Sequence, residues 1–394
     1  MTPRARDEHV QPGSAGIDGS AGLYVHIPFC LTRCGYCDFN TYAGLEHLAG
    51  AYLEGLTLES DLAAPEWRDH TFVSVFFGGG TPTMLPSERL GDLLGSLRRR
   101  FSFDPAAEIT VEANPDTVDG RALAGLLASG VGRLSLGVQS FDPAVLVSLE
   151  RVHSPQSART AFAAARSAGF QNVNLDLIYG ANGETLESWR RTVEEAVALE
   201  PDHLSCYALT VEPSTRLGRK VAAGMVPPPD PDLQADMYHV ACDLLGAAGY
   251  EHYEISNWAT PGRRCLHNMG YWQGRPYLGL GAGAHSHRDG RRWWNVRPPR
   301  QYLDLLDGGE LPIGGEERLS DAERATERLL LGLRVADGIP AQWLPDGRAT
   351  PFVEDGLAER RGDRLALTDR GMLVANELVL AFAAGIGGVE PPGP

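Results

Sequence analysis

The sequence predicts an α/β fold. It places a partial (β/α)6 TIM-like barrel over residues 23–255, a connector over 256–298, and a C-terminal accessory α+β domain of winged-helix-like order over 299–394. Three observations predict it. Short β-branched or aromatic runs alternate six times with longer helix-like segments, which is the order of βαβ units on a parallel sheet. Each run ends in glycine, polar residues or cysteine, as at the functional face of such a barrel. Beyond about Pro213 the rhythm stops, and Pro227-Pro228-Pro229-Asp230-Pro231 reads as a hinge.

In chain order, residues 1–22 are rich in Gly, Ser, Asp and Arg and lack an apolar core, so a disordered tail is expected, not a signal peptide. Strands are expected at Leu23–Ile27, Phe72–Phe77, Glu108–Glu112, Arg133–Val138, Val173–Tyr179 and His203–Leu209. The helices between them fall at Leu48–Ala63, Ser87–Arg100, Arg121–Ser129, Pro155–Ala168 and Leu186–Leu199. After the hinge come a helix, Asp232–Ala248, and a strand, Tyr250–Ile255. The connector is dense in Gly, His, Trp and Tyr. Helices Pro299–Leu306 and Asp321–Leu333, a hairpin turning at Gly362-Asp363, and helix Asp369–Phe382 complete the chain. That order is winged-helix-like, but its acidic setting favours a packing or lid domain over a DNA reader.

A net charge of −16 argues against electrostatic binding of nucleic acid or anionic membrane, although a local basic patch leaves peripheral membrane contact open. No apolar run reaches the 18 or so residues of a membrane span, and Leu378–Ala383 is too short. A soluble, cytoplasmic protein is expected. Cys206, Cys242 and Cys265 are scattered, suggesting buried thiols and no disulfide framework.

The other three cysteines, Cys30, Cys34 and Cys37, have C-x3-C-x2-C spacing in one loop directly after the first strand. Three thiolates can hold three irons of a cubane cluster and leave the fourth open to a substrate or cofactor. The same spacing suits zinc, with His26 or Asp38 as fourth ligand.

The surroundings favour the cluster. Cys30, Cys34, Tyr36 and Cys37 match C-x3-C-x-aromatic-C, which resembles the signature of the radical S-adenosylmethionine (SAM) superfamily. The resemblance implies a [4Fe–4S] cluster on the three cysteines and SAM chelating its unique iron. It also implies reductive cleavage to a 5′-deoxyadenosyl radical, with Tyr36 beside the adenine. Gly78-Gly79-Gly80 is similar to the glycine motif that bonds the cofactor's amino group. The stretches Tyr24–Cys30, Gly78–Thr83, Gly137–Phe141 and Asp176–Gly180 resemble the oxygen-independent coproporphyrinogen III oxidase group. By that similarity Tyr24, Gly79, Gly80, Thr81, Glu112, Gln139, Arg151, Asp176 and Ala208 line the SAM pocket. Glu112 or Asp176 suits the ribose hydroxyls, and Arg151 the cofactor carboxylate.

Two departures separate the chain from the oxidase. The oxidase carries a fourth cysteine where Phe39 stands here, and it has a longer N-terminal extension, so coproporphyrinogen decarboxylation is disfavoured. Cys265-Leu266-His267-Asn268-Met269-Gly270-Tyr271-Trp272 contains His-Asn-x-x-Tyr-Trp, which resembles the signature of HemW-type heme chaperones; Cys37-Asp38-Phe39-Asn40 fits that branch too. Heme needs an axial imidazole or thiolate and flat aromatic surfaces. His267, Tyr271 and Trp272 are therefore the heme candidates, with Cys265 an alternative ligand and His285 and His287 polar residues of expected structural role. The resemblance implies heme as bound cargo, apo-hemoproteins, respiratory ones among them, as recipients, and a homodimer. A radical SAM enzyme on a small substrate (the oxidase, a methyltransferase or a cyclopropanase) and a metal-binding module without turnover are the alternatives.

Overall fold

Strand β1 (Ser20–Ile27) shows why the barrel forms: Ala21, Leu23, Val25 and Ile27 are all fully buried on one face, and Gly22, Tyr24 and His26 alternate with them on the other. The first set packs beneath helices, and the second faces the barrel interior. The computed structural model describes residues 19–383. Residues 1–18 of the expected tail lie outside the described residues, whereas Ser20 to Gly22 already belong to β1.

The chain continues through helix α1 (Ala49–Ala63), β2 (Thr71–Gly79), α2 (Ser87–Arg100), β3 (Ser102–Ala113), α3 (Gly120–Ala128) and β4 (Arg133–Gln139). Next come α4 (Pro143–Ser148), α5 (Pro155–Ala168), β5 (Val173–Tyr179), α6 (Leu186–Ala198) and β6 (His203–Ala208). Strands β1 to β6 are parallel and paired in sequence order, with Ile27 opposite Gly79, Phe77 opposite Val111, Ala113 opposite Leu136, Gly137 opposite Asp176 and Tyr179 opposite Ala208. This register brings all six C-terminal strand ends to one mouth. The helices are started by local chemistry: Ser154 and Thr185 each form a reciprocal capping box at α5 and α6, and Gly169 closes α5 in the left-handed conformation (φ +108°).

After α7 (Arg216–Ala222) and α8 (Pro231–Ala247), a run of short strands extends the same sheet at both ends. β7 (Glu251–Glu254) and β8 (Asn257–Ala259) add antiparallel to β6. Helix α9 (Leu266–Trp272) follows, and then β9 (Tyr277–Leu280) pairs parallel with β1. β10 (His285–Arg288) and β11 (Arg291–Asn295) continue the sheet, which α10 (Pro299–Asp307) and then β12 (Ile313–Arg318) complete. Residues 256–298 thus supply β8 to β11, which extend one twelve-stranded sheet on both sides of β1–β6.

The C-terminal portion comprises α11 (Asp321–Gly332), β13 (Ile339–Pro340), α12 (Thr350–Glu354), β14 (Ala358–Arg361), β15 (Arg364–Leu367), α13 (Asp369–Leu373) and α14 (Ala375–Ala383). The expected hairpin is β14–β15, turning at Gly362 with φ +63°. β13 adds a third strand. The expected final helix breaks at Val374, whose N–H turns back to the Gly371 carbonyl at 3.2 Å. Ile255 N–H to Arg334 O and Ala336 N–H to Tyr253 O, each 2.9 Å, tie this portion to the barrel sheet. Among the described residues no helix is long and apolar enough to cross a membrane.

Candidate cluster and cofactor site at the barrel mouth

The cysteine loop is seated on the β2 end by backbone bonds: Gly80 N–H donates to Ile27 O and Thr81 N–H to Phe29 O, both at 2.8 Å. Only glycine permits this approach. A Cβ on Gly80 would lie 2.5 Å from the Phe29 carbonyl oxygen, and one on Gly79, at φ +109°, would lie 2.3 Å from the His26 ring. On the loop's other side Cys30 N–H donates to Tyr42 O, and Leu217 N–H to Gly35 O.

Polar side chains surround the three sulfurs. Thr81 Oγ1 lies 3.8 Å from Cys30 Sγ, Arg151 Nη1 donates to Cys34 Sγ at 3.5 Å, and Thr41 Oγ1 is 3.8 Å from Cys37 Sγ. Burial pushes the Cys30 thiol up to about 11 and also raises Cys37, so a metal must displace protons to bind. The spacing discriminates between metals. Around one tetrahedral zinc, with Zn–S near 2.3 Å, sulfurs sit about 3.8 Å apart. Among the described residues the one trio of ligand atoms within 4.8 Å of one another is Cys242, His252 and Asp369, so the three loop sulfurs stand farther apart than a single zinc ion requires. His26 is closed as a fourth ligand, because Nδ1 meets the Tyr24 hydroxyl at 3.0 Å and Nε2 the Asn40 carbonyl at 2.9 Å. The donor set fits a larger cluster.

A cavity of about 540 Å3 opens beside the cysteines, and Tyr36, Gly79, Gly80, Thr81, Glu112, Gln139, Arg151, Asp176 and Ala208 all line it. Glu112 Oε2 accepts the Gly79 N–H at 3.0 Å. Burial, with Asp176 adding to it, pushes the Glu112 carboxyl up to about 8. Burial also raises Asp176, against hydrogen bonds from Ser135 (2.8 Å) and Asn174 (2.9 Å) that hold its carboxylate in place. Arg151 is aimed by Nη2–H to Gly137 O at 2.7 Å and Nε–H to His153 Nδ1 at 3.3 Å. Gln139 turns into the mouth with a left-handed backbone, φ +65°, at a register break in β4. Two carboxylates on one wall and a guanidinium beside the sulfurs suit a ligand with hydroxyl or amino groups at one end and a carboxylate at the other.

Tyr24 departs from the expected pocket. It lies a layer below the mouth, its hydroxyl taken by His26 and its ring 6.3 Å from that of Phe76, and it lines a neighbouring cavity. The heme candidates also do not converge. His267 is buried inside the barrel, stacked on Phe76 (5.1 Å), with Nδ1 on Ser74 Oγ and Nε2 on Tyr271 Oη, each at 3.0 Å. Burial drives its ring down to about 3, so it stays neutral. Cys265 is buried with its thiol donating to Glu108 Oε1 at 3.4 Å. Tyr271 lines the same cavity as Tyr24, whereas Trp272 lines a third one against the C-terminal portion. The segment acts as a plug in the barrel, begun by Glu108, which accepts the backbone N–H of Leu266 and His267.

Sequence reasoning missed several contributors. Thr41 had no motif to mark it. Ser135 and Asn174 read as ordinary strand residues but orient Asp176. Glu150, with φ +55°, presses on Gly35 and is held by Lys220 (2.7 Å) and Arg216 (2.8 Å).

Three sulfurs spread too widely for one ion, beside a cavity of complementary charge at the mouth of a parallel partial barrel, are the arrangement of a radical SAM protein. The Radical SAM superfamily model matches residues 24–196, and the HemN C-terminal domain model matches residues 319–374. The chain is 45% identical over 376 residues to the heme chaperone HemW of Mycobacterium tuberculosis (strain ATCC 25618 / H37Rv), covering 93% of this chain and 96% of that one. It is 40% identical over 382 residues to the heme chaperone HemW of Escherichia coli (strain K12), covering 92% and 98%. Coproporphyrinogen III oxidase (HemN) from Escherichia coli superposes with a TM-score of 0.80 at 26% identity, covering 93% of this chain and 90% of that one. The chain belongs to the HemW family. Membership in the radical SAM superfamily implies a [4Fe–4S] cluster and SAM.

Proposed function

We propose that this protein is a cytoplasmic heme chaperone: it holds a [4Fe–4S] cluster on Cys30, Cys34 and Cys37 and SAM in the adjoining cavity, binds heme, and delivers it to apo-hemoproteins, respiratory ones among them. The observation that carries this reading is the pairing of a built cluster and cofactor mouth with full-length similarity to proteins named heme chaperone HemW. When bound, the cluster supplies an electron at the cofactor. The chain's own residues do the rest. Arg151 pairs with the cofactor carboxylate. Glu112 and Asp176 accept from its hydroxyl and amino groups, and Gly79-Gly80 let the backbone come close. Dimerisation belongs to the same proposal and is read from the elution volume of the loaded protein.

Anaerobic reconstitution followed by metal analysis is expected to give about four irons per chain and little zinc. Cys30→Ala, Cys34→Ala and Cys37→Ala each lose the cluster; a zinc-loaded wild type would sink it. The loaded protein is then mixed with hemin and, after removal of free hemin, with an apo-hemoprotein such as apomyoglobin. Growth of the acceptor's absorption band is expected, and no transfer would refute the delivery role. The likeness to HemN favours a second reading, oxygen-independent coproporphyrinogen III oxidation. Conversion of coproporphyrinogen III to protoporphyrinogen IX by the reduced protein would establish it in place of chaperoning.

A further inference from the structure

A second cavity of about 580 Å3 adjoins the cofactor cavity, and Phe39, 64% exposed, stands on the ridge shared by both. Flat rings form its walls. Tyr271 and Tyr277 meet edge to face at 4.7 Å, and Trp294 lies across from them on β11. Two histidines line it. Both ring nitrogens of His26 are occupied, as described above. His285 is different: it is exposed, and its ring makes no hydrogen bond among the described residues. It sits opposite Trp294 in the β10–β11 ladder, so the two side chains project from one face, and their rings stack at 5.7 Å and 29°. At the rim Arg297 is exposed and forms no ion pair among the described residues, although the protein as a whole is strongly acidic.

An iron porphyrin presents three things to a protein: a metal that takes an axial imidazole, an apolar disc that lies on aromatic faces, and carboxylates that pair with guanidinium. This cavity offers one group for each. We propose that the cargo heme binds in this second cavity, with the His285 imidazole, backed by the stacked Trp294 ring, as axial ligand, Tyr271 against the porphyrin disc, and Arg297 on a propionate. The inference rests on the heme-binding reading above and locates its site. Partial desolvation of the ring and the neighbouring Arg297 lower the His285 ring from its ordinary value, which favours the neutral, ligating form. His267 then has a positioning role: its Nε2 holds the Tyr271 hydroxyl and so sets the cavity wall. The His-Asn-x-x-Tyr-Trp segment serves heme through its tyrosine and not through its histidine.

The test titrates the reconstituted full-length protein with hemin, and separately with metal-free protoporphyrin IX, following absorption. His285 and Arg297 are both exposed, so their replacement leaves the fold intact, and unchanged unfolding temperatures check this. His285→Ala is expected to weaken hemin binding at least tenfold and to abolish the imidazole-ligated Soret band while leaving metal-free porphyrin binding unchanged. Imidazole added to His285→Gly restores that band. Arg297→Gln weakens both porphyrins severalfold. Wild-type hemin affinity and spectrum in His285→Ala would overturn the site but leave heme binding standing. A wild type that binds no hemin overturns the heme-binding reading itself, and this site with it.

Discussion

At the scale of single residues, Gly79 is the most tightly constrained position of the mouth. Its φ of +109° is strained for any side chain, and the His26 ring occupies the place of a Cβ. That ring cannot swing away, because both its nitrogens are bonded. Gly79→Ala is therefore expected to cost about 3 kcal/mol or more, from strain plus overpacking, and to loosen the cysteine loop. Thermal unfolding of the apo protein measures it, and a variant as stable as wild type would contradict the geometry. The need for glycine here was legible in the sequence, since a glycine run after an apolar strand means bare backbone. The role of His267 was not. A histidine beside aromatics is compatible with a ligand or a plug, and only the positions of Ser74 and Tyr271, from a distant strand and from the next helical turn, show that both nitrogens are spent.

At the scale of elements, α1 is pinned to the β9–β11 wall by Glu59. Its carboxylate accepts from Gly281 N–H at 2.7 Å, from the Tyr302 hydroxyl at 2.6 Å and from the Asn295 amide at 2.5 Å, and no cation among the described residues pairs with it. Burial pushes this carboxyl up to about 7 despite those donors, against an ordinary 4.5 in the unfolded chain. The native state thus holds the proton more tightly. The stability it contributes is complete below pH 4.5 and is lost as pH rises through about 7. Glu59→Gln removes the titration, so the variant's stability deficit is expected to shrink by up to about 3 kcal/mol between pH 5 and pH 8. Urea unfolding at both pH values checks this, and a deficit that widens with pH would refute it. The six parallel strands were legible because each carries a continuous or alternating apolar face. The strands β8 to β11 were not. They run three to five residues, carry sequences as polar as His285–Arg288, and owe their pairing to the free edges of β1 and β6.

At the scale of the whole molecule, the question is whether the C-terminal portion is an independent lid or part of the barrel's own core. The sequence reading of residues 299–394 as a packing or lid domain allowed both. The packing argues for a shared core: Leu329, Leu333, Ile339 and Phe382 belong to the same contiguous buried cluster as Leu23, Val75 and Trp258. Tyr253 and Met269 of the barrel side meet Val335 in a smaller one. His252 Nδ1 and Asp369 Oδ1, 3.2 Å apart, and the two backbone bonds at Ile255 and Ala336 add polar ties across the junction. Leu333 sits at that junction with no exposed surface. Leu333→Ala removes buried methyl groups and leaves a cavity, which costs about 2–5 kcal/mol. If the core is shared, that loss is felt by the whole molecule. Calorimetry should then show one cooperative transition in both proteins, shifted down in the variant, with secondary structure and tryptophan fluorescence changing together. An independent domain would instead give a variant in which a small early transition separates from an unshifted main one. That result would make the C-terminal portion a detachable lid, free to open over the third cavity, which Trp272 and Trp343 line from opposite sides of the junction.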